Sequence, residues 1–402
     1  MKQNGFWKGF LSGITALFCV GLVVAAVGSV RAKNDVLNFN AITDKMRTLQ
    51  STIDENFYFE EDPIYAEQYI YKGMLAGVQD DYSLYMTPAE HEAHTRMTSG
   101  EYTGIGASVG QNPKTFVTTF SDIKKDSPAE RAGIQVGDII LKVDGVDVTK
   151  MPVDEIISEH VLGEVGTDVS ITVERDGEQI DLYSTRALIV TETVKHKMLD
   201  DDIGYLQITT FEDVTTEQFK AAADALRKSG AKGIIYDLRG NLGGSLASVV
   251  DILDYILPNG LIVYTADKNG VTQKNYSGFD GHEIALPSVV LMDENSASAS
   301  EVFASAMRDY DWAQLVGEQT FGKGIVQNIF SLGDGSAVKL TTSAYFTKSG
   351  YSIHGNGLVP DVTVKSDVPT DPAEMLRTEE DTQLGAAVRA VKEEMSGVDK
   401  NK

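Results

Sequence analysis

Cysteine is almost absent: Cys19 is the only one in 402 residues. It stands inside an uncharged N-terminal run, so the chain beyond that run has no thiol. Disulfides, zinc–thiolate sites and cysteine nucleophiles are excluded there. Histidine is also scarce, with six copies. His91 and His94 lie close together but lack a third ligand in a metal-binding spacing, and a solvated helix face is expected for both. No metal or cofactor is expected. Positive charge is in deficit, with 35 Lys and Arg against 59 Asp and Glu. That balance argues against nucleic acid, whose phosphates require a basic surface, and weakens attraction to an anionic membrane surface. Apolar residues are not lacking. At 42 % they are ordinary for a globular protein, and the length allows two or three domains with real cores.

The uncharged run covers residues 9–30, preceded by Lys2 and Lys8. It is long enough to span a bilayer and longer than the usual apolar region of a signal peptide. Arg31 spoils the nearest small-x-small cleavage site at Ala32, and bulky Phe18 argues against lipidation at Cys19. The expectation is an uncleaved, single-pass anchor at residues 1–33 in the cell membrane, with the rest of the chain extracytoplasmic. A cleaved, secreted form is the alternative.

Residues 34–88 read as helical. Ile42, Met46, Leu49, Ile53 and Phe57 recur at helical spacing, and YKGMLAGVQDDYSLYMTP predicts a second helix ending in a polar turn. From 89 to 187 the pattern changes to short strands and turns, with a short helix introduced by Pro152 and an alternating strand ending at Asp176-Gly177. From 188 to 367 strands and helices alternate: IGYLQIT (203–209), a helix over 215–230, GIIYDL (233–238), a glycine loop entering a helix over 239–257, and PSVVLMD (287–293). Such alternation predicts an α/β domain. Residues 368–402 read as a C-terminal helix and polar tail.

The chemistry concentrates in NSASASEVFASAMRDY (295–310) and EQTFGKGIVQ (318–327). An apolar strand ends at Asp293, and a helix begins among Ser296, Ser298 and Ser300. Backbone N–H groups at such a helix start are unpaired and can stabilise an oxyanion. A serine there needs a base. Lys323 qualifies if burial or a neighbouring cation lowers its pKa, and Gly322 and Gly324 would let the backbone pass close to a wall. The competing readings are structural: Ser298-Ala299-Ser300-Glu301 fits a capping box, and a loop lysine is usually solvated. S-x-x-K also occurs at Ser121–Lys124 and Ser336–Lys339, and Lys348-Ser349-Gly350 mimics a K-[ST]-G element. The chain has no S-x-N element, and Ser121 lies outside the α/β region, so that alternative is rejected.

Several motifs in order carry a resemblance: DDYSLYMTP (80–88), TGIGASV (103–109), SPAERAGIQVGDIILKVDG (127–145), DLRGNLGG (237–244), SASASE (296–301), GEQTFGKGIVQ (317–327) and HGNGLVPDV (354–362). The chain resembles the carboxy-terminal processing proteases, membrane-associated serine endopeptidases that carry a PDZ domain. The resemblance implies an α/β catalytic core (188–367) with a PDZ domain (89–187) inserted after the N-terminal helices. By position, Ser298 resembles the nucleophile and Lys323 the general base, while Gln327 matches a glutamine that orients the lysine in some members. The N–H groups of Gly243 or Gly244, with that of Ala299, would form the oxyanion hole. Asn241 stands before Leu242, where many relatives have proline. Asp309 matches an aspartate sometimes assigned to the catalytic group. Eleven residues of helix, however, carry it about 16 Å along the axis from Ser298, so support of the fold is expected of it. Backbone N–H groups of Ile105, Gly106 and Ala107 would hold a terminal carboxylate while the next strand adds the peptide to a sheet edge. The implied partners are protein substrates with apolar C-terminal tails and a second copy of the chain, in a homodimer built through the N-terminal helices, with the C-terminal helix as a further contact. The alternative is a PDZ-based binding or adaptor protein with an inactive peptidase core.

Overall fold

The computed structural model describes residues 37–60, 62–278, 283–366 and 381–397, apart from the side chains of 273–278. The expected anchor at residues 9–30 lies outside them. Among the described residues no helix is long and apolar enough to cross a membrane.

The chain divides into two units, residues 1–67 and 68–402. In the first, the Asn38 side chain accepts the Ala41 N–H at 3.1 Å and opens the helix Phe39–Asn56. No residue of this helix is buried, and Phe39, Ile42, Leu49 and Ile53 remain exposed. A further helix runs over Pro63–Ala76. The second helix expected around residues 71–88 therefore ends early. Leu84–Met86 is instead a strand, paired antiparallel with Ala337–Thr347. A helix not separated in the sequence reading follows at Pro88–Ser99. Thr87 and Glu90 form a capping box at its start, and Gly100 closes it in the left-handed conformation.

The second unit contains two packed bodies. In one, strands Ala107–Gln111, Thr118–Ile123, Ile139–Val143, Asp168–Arg175 and Glu178–Thr185 lie side by side in that order. Asp176 and Gly177, both at positive φ, make the tight turn between the last two. Val143, Val169, Ile171 and Val173 fill its core. The helix introduced by Pro152 is one α-turn, Val153–Glu155, continuing as a π-turn over Ile156–Val161.

In the other, a six-stranded sheet runs Val194–Met198, Ile203–Ile208, Gly233–Asp237, Ser288–Met292, Gln314–Gly317, Val362–Thr363, antiparallel at the first pair and parallel thereafter. Strands this apolar must be covered on both faces. Leu206, Ile234, Tyr236 and Val290 pack under the helices Thr215–Lys228, Leu246–Ile256 and Ala299–Asp309. Tyr205, Ile235, Val289 and Leu291 face the opposite side, beneath the helix Thr382–Met395. A second, antiparallel sheet is built on Ala337–Thr347, whose neighbours include Ile325–Ser331 and Gly260–Asp267.

A buried ion cluster fixes the loop that leaves strand Gly233–Asp237. The Arg239 guanidinium meets Asp237 at 2.6 Å and Asp381 at 2.9 Å, and the Tyr205 hydroxyl donates to Asp237 at 2.7 Å. Asp237 and Arg239 are both buried. Removing one partner of such a cluster strands a carboxylate away from water. Arg239→Met is therefore expected to lower unfolding stability by about 3–5 kcal/mol, measured as a shifted urea midpoint. Lys232→Met, which removes a surface pair with Asp202, should barely move it.

Candidate active site

The three serines separate by burial. The Ser296 hydroxyl lies 2.9 Å from the Leu238 carbonyl and 3.1 Å from the Asp293 carboxylate, and the Ser300 hydroxyl donates to the Asn241 carbonyl at 2.9 Å. Both serines are buried and serve as ties between loops. Ser298 instead lines an open cleft. It occupies φ 54°, ψ −112°, a sparsely populated conformation for a residue with a Cβ and one that costs about 1–3 kcal/mol. The helix Ala299–Asp309 begins directly after it.

A glycine loop covers this turn. Asn241 is fully buried, its Nδ2 donating to the Ile208 carbonyl at 2.8 Å and its Oδ1 accepting the Gly243 N–H at 2.9 Å. The Asn241 carbonyl accepts the Ala297 N–H at 3.1 Å, which fastens the glycine loop to the serine loop. A side chain at Gly244 would place Cβ 2.0 Å from the Phe211 carbonyl oxygen, so only glycine fits. The Gly243 N–H is thus already engaged. The N–H groups of Gly244 and Ala299 have no protein acceptor among the described residues.

Lys323 is joined to the serine turn through Glu301, a residue whose wider role the sequence reading missed. One oxygen of this fully buried carboxylate accepts the N–H groups of Ser298 at 2.9 Å and Lys323 at 2.8 Å. The other accepts the Gly322 N–H at 2.9 Å and the Thr320 hydroxyl at 2.5 Å. The capping box expected at this helix start accordingly extends into the lysine loop. A Cβ on Gly324 would sit 2.4 Å from the His354 N–H nitrogen, the close approach that the flanking glycines imply. Tyr345 completes the turn: its buried hydroxyl donates to the Lys323 carbonyl. Burial and the nearby Glu301 charge push the Tyr345 phenol well above its usual range.

The Lys323 ammonium lies 4.2 Å from the centroid of the Tyr82 ring. Among the described residues it makes no hydrogen bond to Ser298. Partial burial holds its pKa below the ordinary lysine value; the positive charge of Lys339 adds to this, and Asp80 opposes it. Gln327 lines the cleft but donates to Thr341 Oγ1 at 3.2 Å, and among the described residues it makes no hydrogen bond to Lys323. Asp309 stands outside the cleft and accepts the Ser349 N–H at 2.9 Å. The expected solvated face of His91 and His94 is corrected. His91 Nδ1 is 3.0 Å from the Gly335 carbonyl, and His94 Nε2 is 3.3 Å from Lys339 Nζ, because their helix packs beside the strand Ala337–Thr347.

The cleft encloses about 390 Å³. Next to it, a groove of about 440 Å³ runs along the edge strand Ala107–Gln111 and is lined by Ile105, Ala107, Val109, Ile156, Val161 and Leu162. Met97 and Glu212 belong to both walls. At the groove's end Gly106 is at φ 78°, and the N–H groups of Ile105 and Gly106 have no protein acceptor among the described residues.

The Peptidase family S41 model matches residues 202–364, and a PDZ domain model matches residues 119–175. Sheet, cleft and groove therefore belong to an S41 peptidase that carries a PDZ domain. The chain is 33 % identical to the carboxy-terminal processing protease CtpA of Bacillus subtilis (strain 168), over 90 % of this chain and 77 % of that protein. It is 32 % identical to a probable CtpA-like serine protease of Staphylococcus haemolyticus (strain JCSC1435), over 90 % and 72 % respectively. A solved photosystem II D1 C-terminal processing protease is 28 % identical, with 86 % of this chain and 91 % of that one covered and a TM-score of 0.49. The chain belongs to the carboxy-terminal processing protease family and is a serine-type protease.

Proposed function

We propose that this protein is an extracytoplasmic endopeptidase that cleaves proteins near their C-termini, with Ser298 as nucleophile and Lys323 as general base. One observation carries the reading. Of the three serines at the helix start, only Ser298 reaches the cleft, and the same Glu301 oxygen holds the backbone of both Ser298 and Lys323. In the reaction, Lys323 leaves the Tyr82 ring and takes the Ser298 proton as Oγ attacks the substrate carbonyl. The N–H groups of Gly244 and Ala299 receive the oxyanion. Collapse expels the amine, which collects the proton from Lys323. Water, deprotonated by the same lysine, then attacks the acyl-enzyme, and Lys323 returns the proton to Ser298 Oγ as the acid product leaves. Gln327 and Asp309 act at one remove, by holding Thr341 and the loop at Ser349.

The PDZ groove would take an apolar C-terminal tail, its carboxylate on the N–H groups of Ile105, Gly106 and Ala107 and its backbone along the edge strand. Residues 9–30 would anchor the chain in the cell membrane, and the exposed apolar stripe of the helix Phe39–Asn56 would pair two copies. An adaptor with an inactive core is the alternative reading. Both are tested with a tail-bearing substrate offered with a free or an amidated C-terminus, alongside an active-site serine probe. Covalent labelling of Ser298 and at least about tenfold slower cleavage of the amidated form are expected, since the charge-assisted hydrogen bonds to the carboxylate are lost. Equal cleavage of both forms would remove tail capture. Absence of labelling would favour the adaptor.

A further inference from the structure

The catalytic cleft contains a second lysine that the reaction above does not use. Lys339 projects from the central strand of the antiparallel sheet, between Leu84 and Ile329 of the neighbouring strands, and its side chain lines the cleft. Among the described residues its ammonium meets one protein group, His94 Nε2, at 3.3 Å. The partners of His94 favour one tautomer. Thr98 donates its hydroxyl proton to the His94 carbonyl at 3.0 Å, so Thr98 Oγ1 is free to accept from His94 Nδ1, 3.4 Å away. Nε2 is then left as an acceptor for Lys339. Burial holds His94 below its ordinary pKa, and the Lys339 and His91 charges act in the same direction, which favours the neutral ring.

One of the three Lys339 protons is thereby taken. The other two face the cleft with no acceptor among the described residues. No carboxylate pairs with Lys339 there, although the chain has 59 acidic residues to 35 basic ones. The contrast with the other inward-facing cations is sharp: Arg239 has Asp237 and Asp381, and Arg175 has Asp138 at 2.6 Å. Lys323, in the same cleft, feels Asp80, while the cleft's own acid, Glu212, feels Lys124. A half-buried ammonium with two open donors is a recognition element for a carboxylate, which can accept both.

We infer that Lys339, held in place by His94, is a subsite for an acidic side chain of the substrate close to the scissile bond. This rests on the peptidase reading of the cleft. It adds a charge requirement in the cleft to the apolar tail preference proposed for the groove, so that two separate features would select a substrate.

The test uses the purified full-length chain and a neutral peptide in which a single Glu or Gln is moved one position at a time across the cleavage site. At one position the Glu peptide should exceed its Gln counterpart by about tenfold in kcat/KM. That ratio should fall to about one in Lys339→Met and persist in Lys339→Arg, and in Lys339→Glu a Lys peptide should be preferred. Thermal midpoints of the three variants check folding. A wild-type ratio near one at every position would overturn the subsite, as would a preference that survives in Lys339→Met. A Lys339→Met enzyme that only shifts the pH profile would also overturn it, and Lys339 would then act on Lys323 alone. If the wild type cleaves no peptide at all, the peptidase reading fails and the subsite falls with it.

Discussion

Ser298→Ala is expected to reduce peptide-bond cleavage by about 10⁵–10⁶-fold in kcat, the scale on which loss of a serine nucleophile acts elsewhere. The fold should survive. Alanine retains a Cβ and adopts the same strained backbone at no greater cost than serine, while the Glu301 carboxylate still receives the N–H of residue 298. The neighbouring serines make the contrast informative. Ser296→Ala and Ser300→Ala each remove one buried tie between loops, although the Leu238 and Asn241 carbonyls keep the N–H groups of Asn241 and Ala297, and should lose about 0.5–1.5 kcal/mol of stability. Both should keep measurable turnover, because neither hydroxyl reaches the cleft. Turnover of a fluorogenic peptide, alongside urea unfolding of all three variants, separates loss of chemistry from loss of fold. Full activity in purified Ser298→Ala would sink the assignment.

The α/β alternation was legible because three strands of the main sheet, Ile203–Ile208, Gly233–Asp237 and Ser288–Met292, are apolar runs bounded by turn signals, whereas the polar Val194–Met198 and the short Val362–Thr363 carry no such signal. The serine helix and the glycine loop were legible for a local reason: their chemistry depends on neighbours in the chain. What escaped depends on contacts between distant segments. Glu301 reads as half of a capping box, and nothing in its tetrapeptide reveals that its carboxylate also binds Thr320, Gly322 and Lys323. Gln327 shares a face with Lys323 in an ideal strand. The register shifts between Val326 and Gln327, however, and the glutamine meets Thr341. His94 and Lys339 are 245 residues apart, so their pairing left no trace in composition or spacing. The path of the loop at Leu242, where many relatives have proline, became interpretable only once Asn241 was seen bridging the Ile208 carbonyl and the Gly243 N–H.

Lys323→Arg is expected to be as inactive as Lys323→Ala. Arginine keeps the charge and much of the reach, but it does not give up its proton in a protein, so it cannot accept one from Ser298. The wild-type rate should rise with pH, because only the neutral amine is a base. Its ascending limb should lie below the ordinary lysine pKa, since burial and Lys339 favour the neutral form while Asp80 favours the charged one. The signs for the neighbours follow. Asp80→Asn should move the limb to lower pH, and Lys339→Met should move it to higher pH. Tyr82 adds a coupling: its ring attracts the ammonium but not the neutral amine, so the proton loss that makes Lys323 a base also weakens its hold on the ring. The pH dependence of kcat/KM on a neutral peptide, for wild type, Lys323→Arg, Asp80→Asn and Lys339→Met, tests every step. A Lys323→Arg enzyme with near-normal rate and an unchanged pH profile would show that position 323 supplies charge alone and that the base lies elsewhere.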